Sequence, residues 1–386
     1  MMDDFRSRIV GRIRKMIDSV QNGEIRSFVV GGGASEEVAQ IRNIGTVRSE
    51  SDRPALCGWL EDLSPAIRRN AAWALGRIGS KDDAAVLMGS AKHERCDMPR
   101  LMKCVAAVRC GAPVTDAWEI VEYGAKRSFE GFYGERKTAD VTGWGVDDVA
   151  ALWIRCLSSS DDNQNPASIS PEPVDDIRAH LHRSIEDDPD NRNAVLNLGL
   201  LGHPEDFDLL YRMIPACGRR MHLTLCAAFG YHGDLRSVEW LLRVLTAVDE
   251  NPGHGFASRA AAAAALGSLG DPGVADKLVR ALADEQRDYE GRPGAGLGIQ
   301  RSVRTSILGA LGELQKHPHI LEGYLADTDG SAAGGFYLVA MDGLWKIGDR
   351  QRLVELNSAP DEISINARAV LRELEGHSDV EVLPVP

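Results

Sequence analysis

The chain has 386 residues, of which 44% are hydrophobic and 26% charged, a balance that excludes a disordered chain, a collagen-like repeat and a membrane-embedded bundle. Only 6% are aromatic, which suits close-packed helices better than a β-sandwich, whose strands favour aromatic and β-branched residues. The formal net charge of −13 argues against a general nucleic-acid binder, and it is uneven: residues 1–157 hold 23 Lys/Arg and 22 Asp/Glu, so the acidic surplus falls on residues 158–386.

Residues 1–35 predict one amphipathic helix and a glycine loop. Phe5, Ile9, Ile13, Ile17 and Val20 share a stripe, with Arg6, Arg8, Arg12, Arg14 and Lys15 around it. Two readings stand: a cap over the open end of a helical array, or a basic helix that lies on a membrane or an acidic partner. The stretch lacks the apolar core and cleavage site of a signal peptide, and no window of the chain approaches about 20 apolar residues.

From residue 36 the chain repeats itself. The clearest unit, IRRNAAWALGRIGSKDDAAVLMGSA from Ile67, recurs as SRAAAAAALGSLGDPGVADKLVRALAD from Ser258, with weaker copies from Arg192, Leu223, Val303 and Tyr337. The position after each first helix falls at Gly45, Gly79, Gly111, Leu157, Gly202, Gly233, Gly270, Gln315, Gly348 and Gly376, spaced 34, 32, 46, 45, 31, 37, 45, 33 and 28 residues apart. Such spacing fits two-helix repeats with a base period in the low thirties and loops inserted into three of them. Ala71, Ala72 and Ala74 let neighbouring helices approach, Leu75 and Ile78 fill the layer between repeats, Gly79 or Gly270 ends a helix in the left-handed conformation, and Pro272 opens the next.

This pattern divides the chain into repeats over 36–157 with an insertion at 126–146, a polar linker or loop over 158–176, repeats over 177–376 with an insertion at 285–302, and an extended tail over 377–386. The repeats form one continuous body or two arrays that meet near Ser158; the spacing is compatible with both. The insertion KRSFEGFYGERKTADVTGWG carries Phe129, Phe132, Tyr133 and Trp144 beside Arg127 and Arg136. Aromatics and arginines on a loop are the residues of interface anchors, although they also serve to pack a loop onto its own array. The second insertion places Arg287, Tyr289 and Arg292 beside a glycine run, and without a preceding strand or a G-K-[ST] it does not read as a phosphate loop.

The motif V/I-R-x-x-A-x-x-A-L-G-x-[IL]-G-D followed by an apolar helix resembles the HEAT-like repeat of the phycobilisome-lyase type. The resemblance covers roughly residues 36–376 and implies an all-α fold, a right-handed α-α superhelix of about nine to ten helix pairs, with one helix of each pair on a concave face. Proteins with such repeats include adaptors, assembly factors, bilin lyase subunits and a few enzymes. The arginines that open the strong units, Arg68, Arg259 and Arg304, read as structural rather than as a site, with Asp62 six residues before Arg68 as a bonding partner.

Catalytic motifs are absent from the sequence. There is one His-Glu pair, His93-Glu94, where HEAT-like deoxyhypusine hydroxylases carry several, and no H-E-x-x-H, Cys/His ligand spacing or nucleophile elbow occurs. No metal and no cofactor are expected. Seven cysteines without a C-x-x-C pair read as reduced thiols of a cytoplasmic protein. The sequence therefore predicts a non-catalytic scaffold or assembly factor that recognises a protein through its concave face and its long insertions. A bilin-lyase-like enzyme subunit and a nucleic-acid binder that uses the N-terminal half are the alternatives.

Overall fold

The computed structural model describes residues 35–133, 146–159, 165–216, 219–247, 252–290, 297–325 and 334–348. The chain divides into two units, Met1–Gly33 and Ala34–Pro386, and every described residue lies in the second. Among the described residues every regular element is helical, and the fold is an all-α solenoid. First helices α1 (Ser35–Val47), α3 (Pro65–Ile78), α5 (Asp97–Arg109), α7 (Val146–Leu157), α9 (Arg192–Leu201), α11 (Arg219–His232), α13 (Pro252–Leu269), α15 (Leu297–Glu313) and α17 (Gly334–Ile347) alternate with second helices. The second helices are α2 (Arg53–Trp59), α4 (Lys81–Lys92), α6 (Val114–Tyr133), α8 (Val174–Asp187), α10 (Asp206–Met213), α12 (Val238–Thr246), α14 (Ala275–Glu290) and α16 (Pro318–Leu325).

Local signals account for the breaks. Pro65 sits in the first turn of α3, where its missing N–H costs nothing, and Ser80 with Asp83 forms a capping box that starts α4. Gly111, Gly202, Gly233, Gly270 and Gly348 take positive φ values of 62° to 99° after their first helices, and Gln315 does so at 55°. Three of the expected marks differ, one of them Leu157, which is the last residue of α7 and not the position after it. Gly79 has φ −5°, outside the left-handed region, and the first repeat turns at Arg48 with φ 54°, three residues beyond Gly45.

Gly45 has another task, which it shares with the glycines three residues before the turns. A Cβ on Gly45 would meet Ala74 Cα at 3.0 Å, on Gly76 the Cα of Ala106 at 3.0 Å, on Gly230 the Cα of Ala265 at 2.9 Å, and on Gly267 the Cα of Ala310 at 2.7 Å. In the G-x-x-G of residues 76–79, 230–233 and 267–270 the first glycine is thus a contact between backbones of successive first helices and the second follows the helix end; in the repeat of α15, Gly312 makes the contact and Gln315 the turn. First helices consequently stack more closely on one another than second helices do, from α1 to α5 and from α9 to α17, with α7 touching both α5 and α9. Gly267→Val should lower stability by about 3 kcal/mol in urea unfolding, because a branched side chain has to push α13 and α15 apart. Gly89→Ala, on the exposed face of α4 with nothing within 4 Å of the new methyl, should instead raise it by up to about 1 kcal/mol.

The segment after α7 is tied down where it is described. Trp153 Nε1 donates to the Pro166 carbonyl at 2.9 Å, Glu172 N donates to the Leu157 carbonyl at 2.7 Å, and Ile169 is buried. The two expected loops begin as helix: α6 continues through Tyr133 and α14 through Glu290.

Candidate functional site

A helix ends with four carbonyls that lack intrahelical donors and with a partial negative charge, so a row of parallel helix ends is a row of hydrogen-bond acceptors. The turns at Gly202, Gly233 and Gly270 form such a row at the ends of α9, α11 and α13, and side chains of α1 and α3 meet it. Arg42 of α1 donates to the Gly202 carbonyl at 2.7 Å and the His232 carbonyl at 3.0 Å. On α3, Arg69 donates to the carbonyls of Gly230 at 2.6 Å, Ser268 at 2.8 Å and Tyr231, Asn70 to the Gly233 carbonyl at 3.3 Å, and Trp73 Nε1 to the Leu201 carbonyl at 2.9 Å. The Ala66 amide closes the row on the Gly270 carbonyl at 3.2 Å. The first two helix pairs are thereby fastened to repeats some 130 to 200 residues further along the chain.

Arg42 and Arg69 are buried, and burial pulls their guanidinium pKa values down to about 10 and about 9. Arg42 has Asp234 at 3.7 Å as a counter-charge, whereas Arg69 relies on helix-end carbonyls. His232, between Arg42 and the His203 carbonyl, is held neutral by burial and by the neighbouring guanidinium.

A second junction joins the start of α5 to α15 and α17. Lys346 Nζ lies 3.1 Å from Asp97, 2.5 Å from Glu313 and 2.9 Å from Asp342, and Arg100 pairs with Asp97 at 2.5 Å. The Asp97 amide also donates to Glu313 at 3.2 Å. Three carboxylates face two cations here, so one keeps its proton: burial and Asp97 push Glu313 up to about 8, while Lys346 and Arg100 hold Asp97 ionised. A carboxyl that binds its proton more tightly folded than unfolded adds stability that is complete below about pH 4.5 and lost as pH rises through about 8. His232 works oppositely, adding stability as pH rises toward 6.5, so the Glu313 contribution is separable above that point. Stability measured by urea unfolding should fall between pH 6.5 and 8.5, and Glu313→Gln should flatten the fall.

Glu94 is the hub of the N-terminal repeats. Arg68 grips it with two bonds of 2.8 Å, Lys103 adds one of 2.7 Å, and the amides of Arg95 and Cys96 donate at 3.1 Å. Its pKa drops to about 2 because these donors outweigh its burial. The expected pairing of Arg68 with Asp62 runs through the Asp62 main-chain carbonyl, at 2.9 Å; the Asp62 carboxylate accepts from Ser64 N, and the ionic partner is Glu94. Arg259 pairs with Glu285 at the same sequence separation, and Arg178 with Asp206 at 2.7 Å. His182 also contacts Asp206, at 2.8 Å, but that carboxylate is already held by Arg178 and acts as an anchor between α8 and α10.

Four of the residues predicted to bind a partner, Arg127, Phe129, Phe132 and Tyr133, fall on the last turns of α6, and two more, Arg287 and Tyr289, on the last turns of α14. Their side chains, together with Arg136, Trp144 and Arg292, lie outside the described residues, as do the N-terminal helix and the tail. Arg42, Arg69, Asn70 and Trp73 were not among the predicted site residues. The available signal was Arg68-Arg69-Asn70 within a helix whose residues Pro65 to Leu75 are all buried, more polar atoms than one neighbour's core stripe can satisfy.

Among the described residues no group of three or more His, Cys, Asp or Glu is placed to hold a metal, no helix is long and apolar enough to cross a membrane, and the cysteines are free thiols. No curated protein matches the chain. Residues 37–101 match the family of HEAT repeats, and residues 258–284 match the PBS lyase HEAT-like repeat. The chain thus carries HEAT-like repeats, with a matched stretch on each side of the junction that Arg42 and Arg69 make.

Proposed function

We propose that the chain is a non-catalytic protein-binding scaffold, with a docking surface carried by the second helices and the two insertions rather than by the first helices. The supporting observation is the enclosure of two central first helices: Pro65 to Leu75 of α3 and Met98 to Val108 of α5 are buried without a break. Among the described residues, four of the five large apolar side chains that reach the surface, Leu63 at 90% exposure, Val86, Tyr123 and Tyr211, sit on second helices or the turns beside them, and the fifth, Val47, is the last residue of α1. Tyr123 lies on α6, the helix that leads into the aromatic segment of residues 126–146. HEAT repeats commonly serve as platforms for protein partners, and a framework fastened at two junctions is suited to presenting such a surface without ordering cost.

Nucleic-acid binding by the N-terminal half is less well supported. Arg42, Arg68, Arg69, Arg100 and Lys103 are buried and bonded within the protein, so this part of the basic inventory is not presented to phosphates. The test is capture by the tagged full chain in cells of its source, with cross-links mapped by mass spectrometry, against a Phe132→Ala/Trp144→Ala variant. Proteins cross-linked to residues 114–146 and lost with the variant are the expected result. An unchanged set, or a set released by nuclease, would overturn the reading.

A further inference from the structure

Guanidinium groups crowd around Trp73 with little negative charge to match. Arg42 lies 5.2 Å and Arg77 5.4 Å from the Trp73 ring, Arg69 is one helical turn away, and Arg109 reaches in from α5. Against these four cations the described residues supply one ion-paired carboxylate, Asp234, which also serves Arg236. Backbone carbonyls provide the remaining balance: Arg77 Nε donates to the Gly45 carbonyl at 3.1 Å and Arg109 to that of Cys156 at 2.6 Å, both in the last turns of helices, and Arg109 also donates to the Glu172 carbonyl at 3.3 Å in the segment before α8. Each helix end carries only about half a unit of negative charge.

Arg77 and Arg109 share a pocket of about 30 Å³, whose other walls include Trp73, Met102, Val105 and Leu200. A space of this size holds one or two water-sized groups. We propose that it is a binding site for a compact monovalent anion, either a free halide or the carboxylate head of a ligand, held between Arg77 and Arg109 against the apolar wall.

Burial lowers the pKa of both arginines, and each is lowered further by another arginine, Arg77 by Arg48 and Arg109 by Arg77. Asp175 and Asp206 pull Arg77 the other way, but they are bonded to Arg48 and to Arg178. Cys156, the other titratable wall, is pushed up to about 12 by burial and stays a neutral thiol. A poorly solvated cation pair favours any small anion that can reach it, and the pocket's volume sets the size limit.

The experiment is a thermal melt of the full chain at fixed ionic strength, with chloride, bromide, acetate or formate replacing gluconate, which is too large to enter. The expected result is a saturable rise in Tm of about 2 °C or more with at least one small anion. That rise should be lost in Arg77→Gln, which removes the less buried of the two charges. Halides alone raising Tm would identify an ion site, and acetate or formate alone a carboxylate site; both outcomes support the proposal. A Tm that follows ionic strength whatever the anion, or an undiminished rise in Arg77→Gln, would overturn it. Crystals soaked in bromide give an independent reading, with an anomalous peak between Arg77 and Arg109 expected and its absence there, where halides raise Tm, contradicting the site.

Discussion

Glu94→Gln should destabilise the protein by about 3 to 5 kcal/mol in urea unfolding, among the largest effects of any single substitution in the described residues. The carboxylate is buried and answers two buried cations, Arg68 and Lys103, so its neutral isostere leaves both without a counter-charge. The cost comes from the stranded charges and not from the value of one hydrogen bond, so the double variant Glu94→Gln/Lys103→Met should recover part of the loss. The acid limb of stability tests the same arrangement. A carboxyl with a folded pKa of about 2 and an ordinary value of 4.5 contributes stability that is present above 4.5 and lost as pH falls toward 2. The variant should show a shallower acid limb, and a loss below about 1 kcal/mol with an unchanged limb would show that Glu94 is not the hub.

Arg69→Met is the second large effect, expected at about 3 kcal/mol. The substitution removes a costly buried charge, which favours the variant, but strands the carbonyls of Gly230, Tyr231 and Ser268 on two different helices. Hydrogen bonds to a charged donor contribute roughly 1.5 to 3 kcal/mol each, so three of them exceed the desolvation relieved. Arg69→Lys keeps the charge but lacks the planar fork that spans α11 and α13, and should lose roughly half as much. Equal losses for Lys and Met would assign the effect to geometry alone.

Much of the fold was legible because the repeat is built from backbone requirements. Gly202, Gly233, Gly270 and Gly348 mark turns that need the left-handed conformation, and Ala74, Ala106, Ala265 and Ala310 mark helix contacts too close for larger side chains. The roles within G-x-x-G were harder to assign, since both glycines are conspicuous and only neighbouring helices show which one touches a backbone. In the first repeat the turn position is Arg48 and not a glycine, so the lone Gly45 was placed in the wrong register, three residues before the turn. The junctions were not legible at all. Arg42 and Arg69 bond to carbonyls, which every residue has, so no complementary side chain far along the chain announces the pairing. The charge imbalance was a trace of it: Arg42, Arg69 and Arg109 meet helix-end carbonyls of residues 156–268, and Arg42 also meets the Asp234 carboxylate.

The central claim is that the first two helix pairs are held on the ends of α9, α11 and α13 by α1 and α3. Hydrogen–deuterium exchange on the full chain and on Arg69→Met tests it most directly. Faster exchange should occur together in residues 66–74, 225–235 and 262–272, while α15 and α16 keep their protection. Exchange that changes only within residues 66–74 would contradict the junction, because α11 and α13 would then be indifferent to the arginine that is said to bind their ends.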